Sequence, residues 1–169
     1  VLNQVIEKQN DALMKRTKNR PLPAGRLTEF EAAVFGFACV AFGLTFLAVT
    51  TNAICTLIAF LTWLLYVGVY TPMKTASVWN TAVGTLPGAM PVLIGWCGLG
   101  GDLADWRAWA IAGLVVLWQF PHFMSIAWLY RHEYAGAGYQ MWTTKDTSGM
   151  VAGIHASLGA AALIALTIA

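Results

Sequence analysis

Three side chains near the start of the chain share a register. Asn3, Glu7 and Asp11 are spaced i, i+4, i+8. On an α-helix each such step turns about 40° past a full revolution, so the three lie along one face. One amide and two carboxylates are hard oxygen donors, a set that suits Mg²⁺. Lys15 continues the stripe, and Arg16, Lys18 and Arg20 follow. Carboxylates can share a metal with phosphate oxygens while Arg and Lys neutralise the remaining charge, so this combination fits a metal-bound diphosphate. The same residues also read as a solvated helix end followed by basic residues held on one side of a membrane. That second reading accounts for the cations but not for the aligned Asn, Glu and Asp.

A second group lies in Gln119-Phe120-Pro121-His122-Phe123, followed by Trp128 and Arg131-His132-Glu133-Tyr134. His122 and Glu133 are eleven residues apart. If one helix continues past Pro121 they share a face, about 16 Å apart along it. His122 beside Gln119 is either a hydrogen-bonded packing residue or a contact for a ligand or metal. The aromatic residues around it, Trp118, Phe120, Phe123 and Trp128, face lipid or core by default. Lys74 is either a membrane-side anchor or a cation for the same anion. Asn80 sits just inside an apolar run, where polar side chains mark cavities or helix contacts. His155 has no polar companion and reads as packing.

The elements that must hold these groups follow from the charge distribution. Hydrophobic residues make up 58% of the 169 and charged residues only 11%, against ~25% charged in soluble domains. No Asp, Glu, Lys or Arg occurs from Ala32 to Met73, and further charge-free runs cover 75–101, 108–130 and 147–169. A bilayer span takes roughly 20 apolar residues. The composition excludes a soluble globule, a disordered chain and a nucleic-acid-binding module. It predicts an all-α, polytopic membrane bundle in one domain: a partial helix over 1–14, then spans at about 30–49, 53–70, 78–97, 106–130 and 150–169. The polar triplet Thr50-Thr51-Asn52 divides the longest run, and Tyr70 to Lys74 reads as a turn. Pro87, Pro91 and Pro121 fall inside spans, where neighbours can satisfy the freed carbonyls. Thr28 is placed to cap the second helix, with Glu29 and Glu31 in its first turn. Cys39, Cys55 and Cys97 form no CxxC pair, so neither a disulfide frame nor a thiolate site is expected. The start at Val1 and the apolar run ending at Ala169 predict a fragment, with helices missing at both ends.

Five spans send alternate loops to opposite sides. Nine of the ten Lys and Arg residues then fall on one side, with only Arg107 on the other. The basic excess marks the cytoplasmic side, which places the Asn3–Arg20 stretch, Lys74 and Glu133 there.

The motif Asn3-x3-Glu7-x3-Asp11-x2-Met14-x-Arg16-Thr17-Lys18-Asn19-Arg20-Pro21-Leu22 resembles the first signature of the intramembrane UbiA-type prenyltransferases. More narrowly, the chain resembles the protoheme IX farnesyltransferases (heme O synthases). Three further segments match that group in order. They are Tyr70-Thr71-Pro72-x-Lys74, Asn80-Thr81-x2-Gly84-x2-Pro87-Gly88-Ala89-Met90-Pro91-x3-Gly95-Trp96, and Gln119 to His122 through Trp128 to Tyr134. Two positions depart from the pattern: Gln4 follows Asn3 where the wider superfamily usually has Asp, and Glu133 precedes Tyr134 where Asp is common.

The resemblance implies a UbiA-like helical bundle of nine spans, of which this chain would supply the middle. It implies farnesyl transfer from farnesyl diphosphate to a vinyl group of heme b, giving heme O and diphosphate. Mg²⁺ would be the cofactor and heme b a substrate. The setting would be the bacterial inner membrane, or the mitochondrial inner membrane in a eukaryote. Other heme-biosynthesis or terminal-oxidase assembly proteins would be partners. Asn3, Glu7 and Asp11 match the metal-binding motif, with Glu133 as a further ligand. Arg16, Arg20 and Lys74 match cations near diphosphate. Asn80, Gln119, His122 and Arg131 fall where substrate contacts are expected. Two other functions remain open at this point: a prenyltransferase acting on an aromatic or quinone precursor, and a transporter whose proline-broken spans and buried polar residues line a pathway.

Overall fold

The computed structural model describes residues 1–168, so Ala169, the expected end of the last span, lies outside the described residues. The chain is all-helical, with no strand among the described residues. Two short helices, α1 (Leu2–Ile6) and α2 (Lys8–Leu13), open it. The expected single helix over 1–14 is interrupted at Glu7, whose ψ of 7° departs from the helical value. The backbone ladder nonetheless survives the interruption: Glu7 N–H bonds to the Asn3 carbonyl at 2.9 Å and Asp11 N–H to the Glu7 carbonyl at 2.8 Å. The i, i+4 register of the oxygen-bearing side chains is therefore kept.

Helix α3 (Glu29–Thr50) starts on Thr28, as its sequence predicts. The Thr28 hydroxyl accepts the Glu31 N–H at 3.2 Å, and the Glu31 carboxylate accepts the Thr28 N–H at 2.8 Å. This reciprocal capping satisfies two donors that a helix start leaves free. After the polar triplet, α4 (Ala53–Leu64) is capped by the Asn52 side chain, which accepts the Cys55 N–H at 2.8 Å.

The expected turn at Tyr70–Lys74 is helical instead. A π-helical turn over Leu65–Tyr70 carries α4 directly into α5 (Thr71–Ala76). Pro72 has no N–H for the Gly68 carbonyl, and its ring would crowd that oxygen in a regular helix. The wider π turn just before it makes room. Tyr66 and Tyr70 then stand beside each other, ring centroids 5.3 Å apart. The charged end of the helix, with Lys74, thus extends beyond the apolar run.

Helix α6 (Asn80–Gly98) contains Pro87 and Pro91, and α7 (Trp106–Leu129) continues through Pro121. A short α8 (Arg131–Gly136) and then α9 (Met150–Ile168) complete the chain. Each long helix packs on its neighbours in sequence: α3 on α4, α4 on α6, α6 on α7, and α7 on α9. Four stretches are long and apolar enough to cross a membrane: Glu29–Thr50, Ala53–Ala76, Trp106–Leu129 and Met150–Ile168. Their faces carry exposed apolar side chains such as Phe30, Phe42, Val49 and Trp106, as a lipid solvent requires. Helix α6 is not among the four. It is the most buried, with Asn80, Thr81, Gly84, Thr85 and Pro87 enclosed, so its surroundings are protein and it can be less apolar.

Contacts at the two ends of the row differ in kind. At one end Asn52 Nδ2 donates to the Cys97 carbonyl at 2.7 Å, tying the 51–52 connection to the end of α6. At the other end the short helices and the polar segments 14–28 and 137–149 gather. Asn10 Nδ2 donates to the Ala137 carbonyl at 2.6 Å, and Gln140 N–H to the Lys74 carbonyl at 2.7 Å. Asp146 fixes the entry to α9 by accepting the N–H groups of Ser148, Gly149 and Ala152.

Gly84 is required by a close approach. A Cβ there would lie 2.6 Å from the Tyr70 ring. Overpacking of this kind costs typically about 1–3 kcal/mol. Gly84→Ala is expected to lower the unfolding midpoint in detergent by a corresponding amount. The loss should shrink in a Tyr70→Ala background, because the clashing ring is then gone; equal losses in both backgrounds would place the strain elsewhere.

Candidate active site

The polar end of the row contains a cavity of about 160 Å³ lined by Asn3, Glu7, Asp11, Arg16, Arg20 and Lys74, with four tyrosines and two methionines completing the wall. The stripe read from the sequence thus faces one space, and three of the expected cations face it too. Glu7 and Asp11 are buried, with 5% and 2% of their surface exposed. A carboxylate so deeply enclosed is costly without a compensating charge. Each has one: Lys74 Nζ lies 2.8 Å from Glu7 Oε1, and Arg20 Nη1 lies 2.8 Å from Asp11 Oδ2.

Local structure explains how these groups meet. Asp11 is held in the last turns of α2, where the buried Thr17 hydroxyl donates to its backbone carbonyl at 2.8 Å. This bond folds the chain back so that Arg20 reaches the Asp11 carboxylate. Lys74 arrives from α5 because the π turn lets the helix run on past Pro72. Its ammonium lies 4.7 Å from the Tyr70 ring centroid, a cation–π contact. Asn3 Nδ2 donates to Glu7 Oε2 at 3.3 Å.

Glu7 Oε1 has no hydrogen bond, although it is buried; the Lys74 ammonium is close but out of line. An enclosed carboxylate oxygen with spare lone pairs, facing a cavity, is suited to a hard cation. Asn3 and Asp11 add further oxygens on the same wall, and this donor chemistry fits Mg²⁺. Among the described residues no three His, Cys, Asp or Glu side chains converge on one point, so any ion held here would need the Asn3 amide or oxygens of its ligand as well.

A second cavity, of about 260 Å³, adjoins the first. The two share Arg16, Tyr70, Lys74, Tyr134 and Met141 as a common wall. Beyond that wall the second is lined by Asn80 and Thr81 on one side and by Phe123, Ile126 and Ala127 on α7. Asn80 is 1% exposed and donates through Nδ2 to the Ser77 and Gln140 carbonyls at 2.6 and 2.5 Å. It therefore straps the 137–149 segment over the junction of α5 and α6. Tyr139 and Met141, carried by that segment, complete the first cavity.

The remaining sequence candidates lie elsewhere. Glu133 lines neither cavity; its carboxylate accepts the Arg16 backbone N–H at 3.4 Å. Helix α7 ends at Tyr130, so Glu133 belongs to α8 and does not continue the helix face of His122. His122 is exposed on α7, its ring stacked on Trp118 at 5.0 Å. Gln119 is buried and donates to the Thr85 and Val115 carbonyls, both at 3.1 Å, joining α7 to α6. Arg131 folds over the Trp128 ring at 3.9 Å and donates to the Trp128 carbonyl.

The sequence reading missed the aromatic part of the site: Tyr66, Tyr70, Tyr134 and Tyr139. Their hydroxyls were the available signal, since a phenol inside an apolar run needs a polar neighbour. Burial pushes the Tyr139 phenol well above its ordinary range, and the Glu7 and Asp11 carboxylates add to the shift. Tyr134 is raised in the same way by burial, with Arg16 opposing. Both phenols remain neutral donors beside the carboxylates at physiological pH.

The chain matches the model of the UbiA prenyltransferase family over residues 1–169. It is 44% identical over 161 residues to a protoheme IX farnesyltransferase of Rhodopirellula baltica, covering 95% of this chain and 56% of that protein. It is 43% identical over 145 residues to one from Solibacter usitatus, covering 86% and 49%. A mitochondrial protoheme IX farnesyltransferase of Arabidopsis thaliana is 40% identical over 148 residues, covering 88% and 34%. No solved structure matches. The chain spans about half the length of the first curated relatives it matches. With its apolar helices and its acid- and base-lined cavity at their polar end, the chain is part of an integral membrane protein and belongs to the UbiA prenyltransferase family.

Proposed function

We propose that the protein transfers a farnesyl group from farnesyl diphosphate to a vinyl group of heme b, with addition of one water, giving heme O and diphosphate. The observation that carries this reading is the single cavity shared by Asn3, Glu7, Asp11, Arg16, Arg20 and Lys74. The names of its relatives support the choice of heme b over an aromatic or quinone acceptor. The family generally uses a divalent metal, and Mg²⁺ is the one proposed here. We place the protein in a bacterial inner membrane or its mitochondrial counterpart, with this cavity on the basic, cytoplasmic side.

Asn3, Glu7 and Asp11 would hold Mg²⁺, which when bound supplies positive charge to diphosphate oxygens. Arg16, Arg20 and Lys74 bind the diphosphate. As the allylic C–O bond ionises, its electron pair leaves with diphosphate, and these three cations stabilise the charge that develops there. The apolar side of the adjoining cavity, formed by Phe123, Ile126 and Ala127, holds the start of the isoprenoid and keeps water from the allylic cation. The vinyl π electrons then form the new carbon–carbon bond, and water takes the cation left on the other vinyl carbon, releasing a proton and leaving a hydroxyl group there. Glu133 acts on Arg16 by fixing its backbone, Gln119 joins two helices, and Arg131 orders the end of α7. For His122, exposed on α7, stacked on Trp118 and next in sequence to Phe123 of the adjoining cavity, we propose a contact with the porphyrin.

In the complete protein, Asp11→Asn is expected to reduce heme O formation by roughly 100-fold or more, the scale of losing one group that stabilises transition-state charge. Labelled farnesyl diphosphate and heme b in membranes would report it. Undiminished product with an unchanged Mg²⁺ response would remove Asp11 from the site. A labelled aromatic product, or uptake without bond formation, would favour the other two functions. His122→Ala should raise the KM for heme b and leave that for farnesyl diphosphate unchanged; the reverse pattern would detach His122 from the porphyrin.

The raised Tyr139 phenol gives a pH dependence. Its folded value lies above the unfolded value of about 10, so its contribution to stability is complete below that pH. The contribution is lost as the pH rises from there through the folded value. Tyr139→Phe should flatten the alkaline fall in unfolding midpoint above about pH 10. An identical fall in the variant would assign it to other groups.

A further inference from the structure

A metal arriving at Glu7 and Asp11 meets carboxylates whose charge is already balanced. Each is already matched with a cation, Lys74 at 2.8 Å and Arg20 at 2.8 Å. The Lys74 side chain is only 14% exposed and that of Glu7 6%, so separating the two without another partner for each is costly. The Arg20 side chain is 32% exposed and Asp11 3%.

We propose that Lys74 and Arg20 are exchangeable counter-ions, which balance the acidic stripe and pass to diphosphate only when metal and diphosphate arrive together. This inference rests on the function proposed above and adds a rule of binding to it. A divalent ion binding alone must displace the Lys74 ammonium from Glu7 and strand it in an enclosed space. Diphosphate binding alone draws Lys74 and Arg20 away and leaves two enclosed carboxylates facing an anion. When both bind, every charge has a partner: carboxylates on the metal, cations on the phosphate oxygens. Each ligand therefore strengthens the other, and by linkage the two factors are equal. The factor expected is about 5- to 150-fold, the usual range of such coupling.

The rule has a consequence that a plain diphosphate ligand would not have. Removing the Lys74 charge should tighten the binding of metal alone, because Glu7 loses its competitor, while weakening the help that diphosphate gives. The probe is Mn²⁺, followed by its free-ion paramagnetic resonance signal. The full-length protein in nanodiscs is titrated with and without inorganic diphosphate, and the metal–diphosphate complex formed in solution is subtracted. Wild type should bind Mn²⁺ weakly alone and at least about 5-fold more tightly with diphosphate. Lys74→Met should bind Mn²⁺ alone more tightly than wild type and respond less to diphosphate, and Lys74→Arg should restore wild-type behaviour. Arg20→Gln tests the second pair in the same way if Lys74→Met fails to fold.

Mn²⁺ binding in Lys74→Met no tighter than in wild type, together with loss of binding in Asp11→Asn, would overturn the counter-ion exchange and leave the metal site standing. Mn²⁺ binding unchanged by Asp11→Asn would overturn the site itself. Tighter binding in Lys74→Met with reduced coupling would establish the exchange.

Discussion

Two enclosed ion pairs, Glu7 with Lys74 and Asp11 with Arg20, are the contacts on which the arrangement depends. Each joins segments distant in sequence or folded back on themselves. Glu7 and Lys74 bring the N-terminal helices against the end of the second span. Asp11 and Arg20 close the polar segment onto its own helix. Removing one partner of a buried pair leaves an uncompensated charge, at a cost of about 3–5 kcal/mol, and less for Asp11 with Arg20, whose side chain is 32% exposed. That penalty gives the polar end a defined geometry where a membrane offers little help. Lipid is as apolar as the helix faces, so the hydrophobic effect does not press spans together there. Close approach at small residues takes its place: Gly84 against the Tyr70 ring, and Gly159 against Phe120 and Pro121.

The site also depends on backbone bonds made by side-chain amides. Asn10 and Asn80 hold the 137–149 segment through the Ala137 and Gln140 carbonyls, and Gln140 in turn holds the Lys74 carbonyl. The cavity wall is therefore assembled from three regions that meet only at this end. A polar loop laid over an apolar helix end satisfies its own backbone by this means. The same bonds set how far Tyr139 and Met141 stand from the acidic stripe.

Much of this was legible in the residues themselves. The charge-free runs gave the long helices, because a span cannot afford unpaired charge. The Thr28 cap gave the start of α3, and the i, i+4 register gave the acidic stripe even though the helix is interrupted at Glu7. The turn expected at Tyr70–Lys74 was a misreading. Pro72 and a change of polarity suggest a stop, but a π turn before the proline lets the helix continue to Ala76. The shared face of His122 and Glu133 required one helix through Tyr130, and the chain breaks there. The four tyrosines were hidden for a different reason. For Tyr66 and Tyr70, in an apolar run, a tyrosine facing lipid and one facing a cavity look alike; Tyr134 and Tyr139 stand in a polar stretch, where nothing local distinguishes a ring folded inward from one left at the surface.

The π turn at Leu65–Tyr70 makes chain length itself a structural parameter. It carries one residue more than a regular turn would. Deleting a single residue from this stretch would return the segment to ordinary helical winding with the residues after it facing much the same way, whereas a deletion from a regular part of the helix would swing them by about 100° around the axis. Lys74 would keep its bearing on Glu7, and the cost would fall instead on the backbone, where the Pro72 ring would meet the carbonyl one turn back. Natural variation in this tract should accordingly couple the loss of a position to the loss of Pro72.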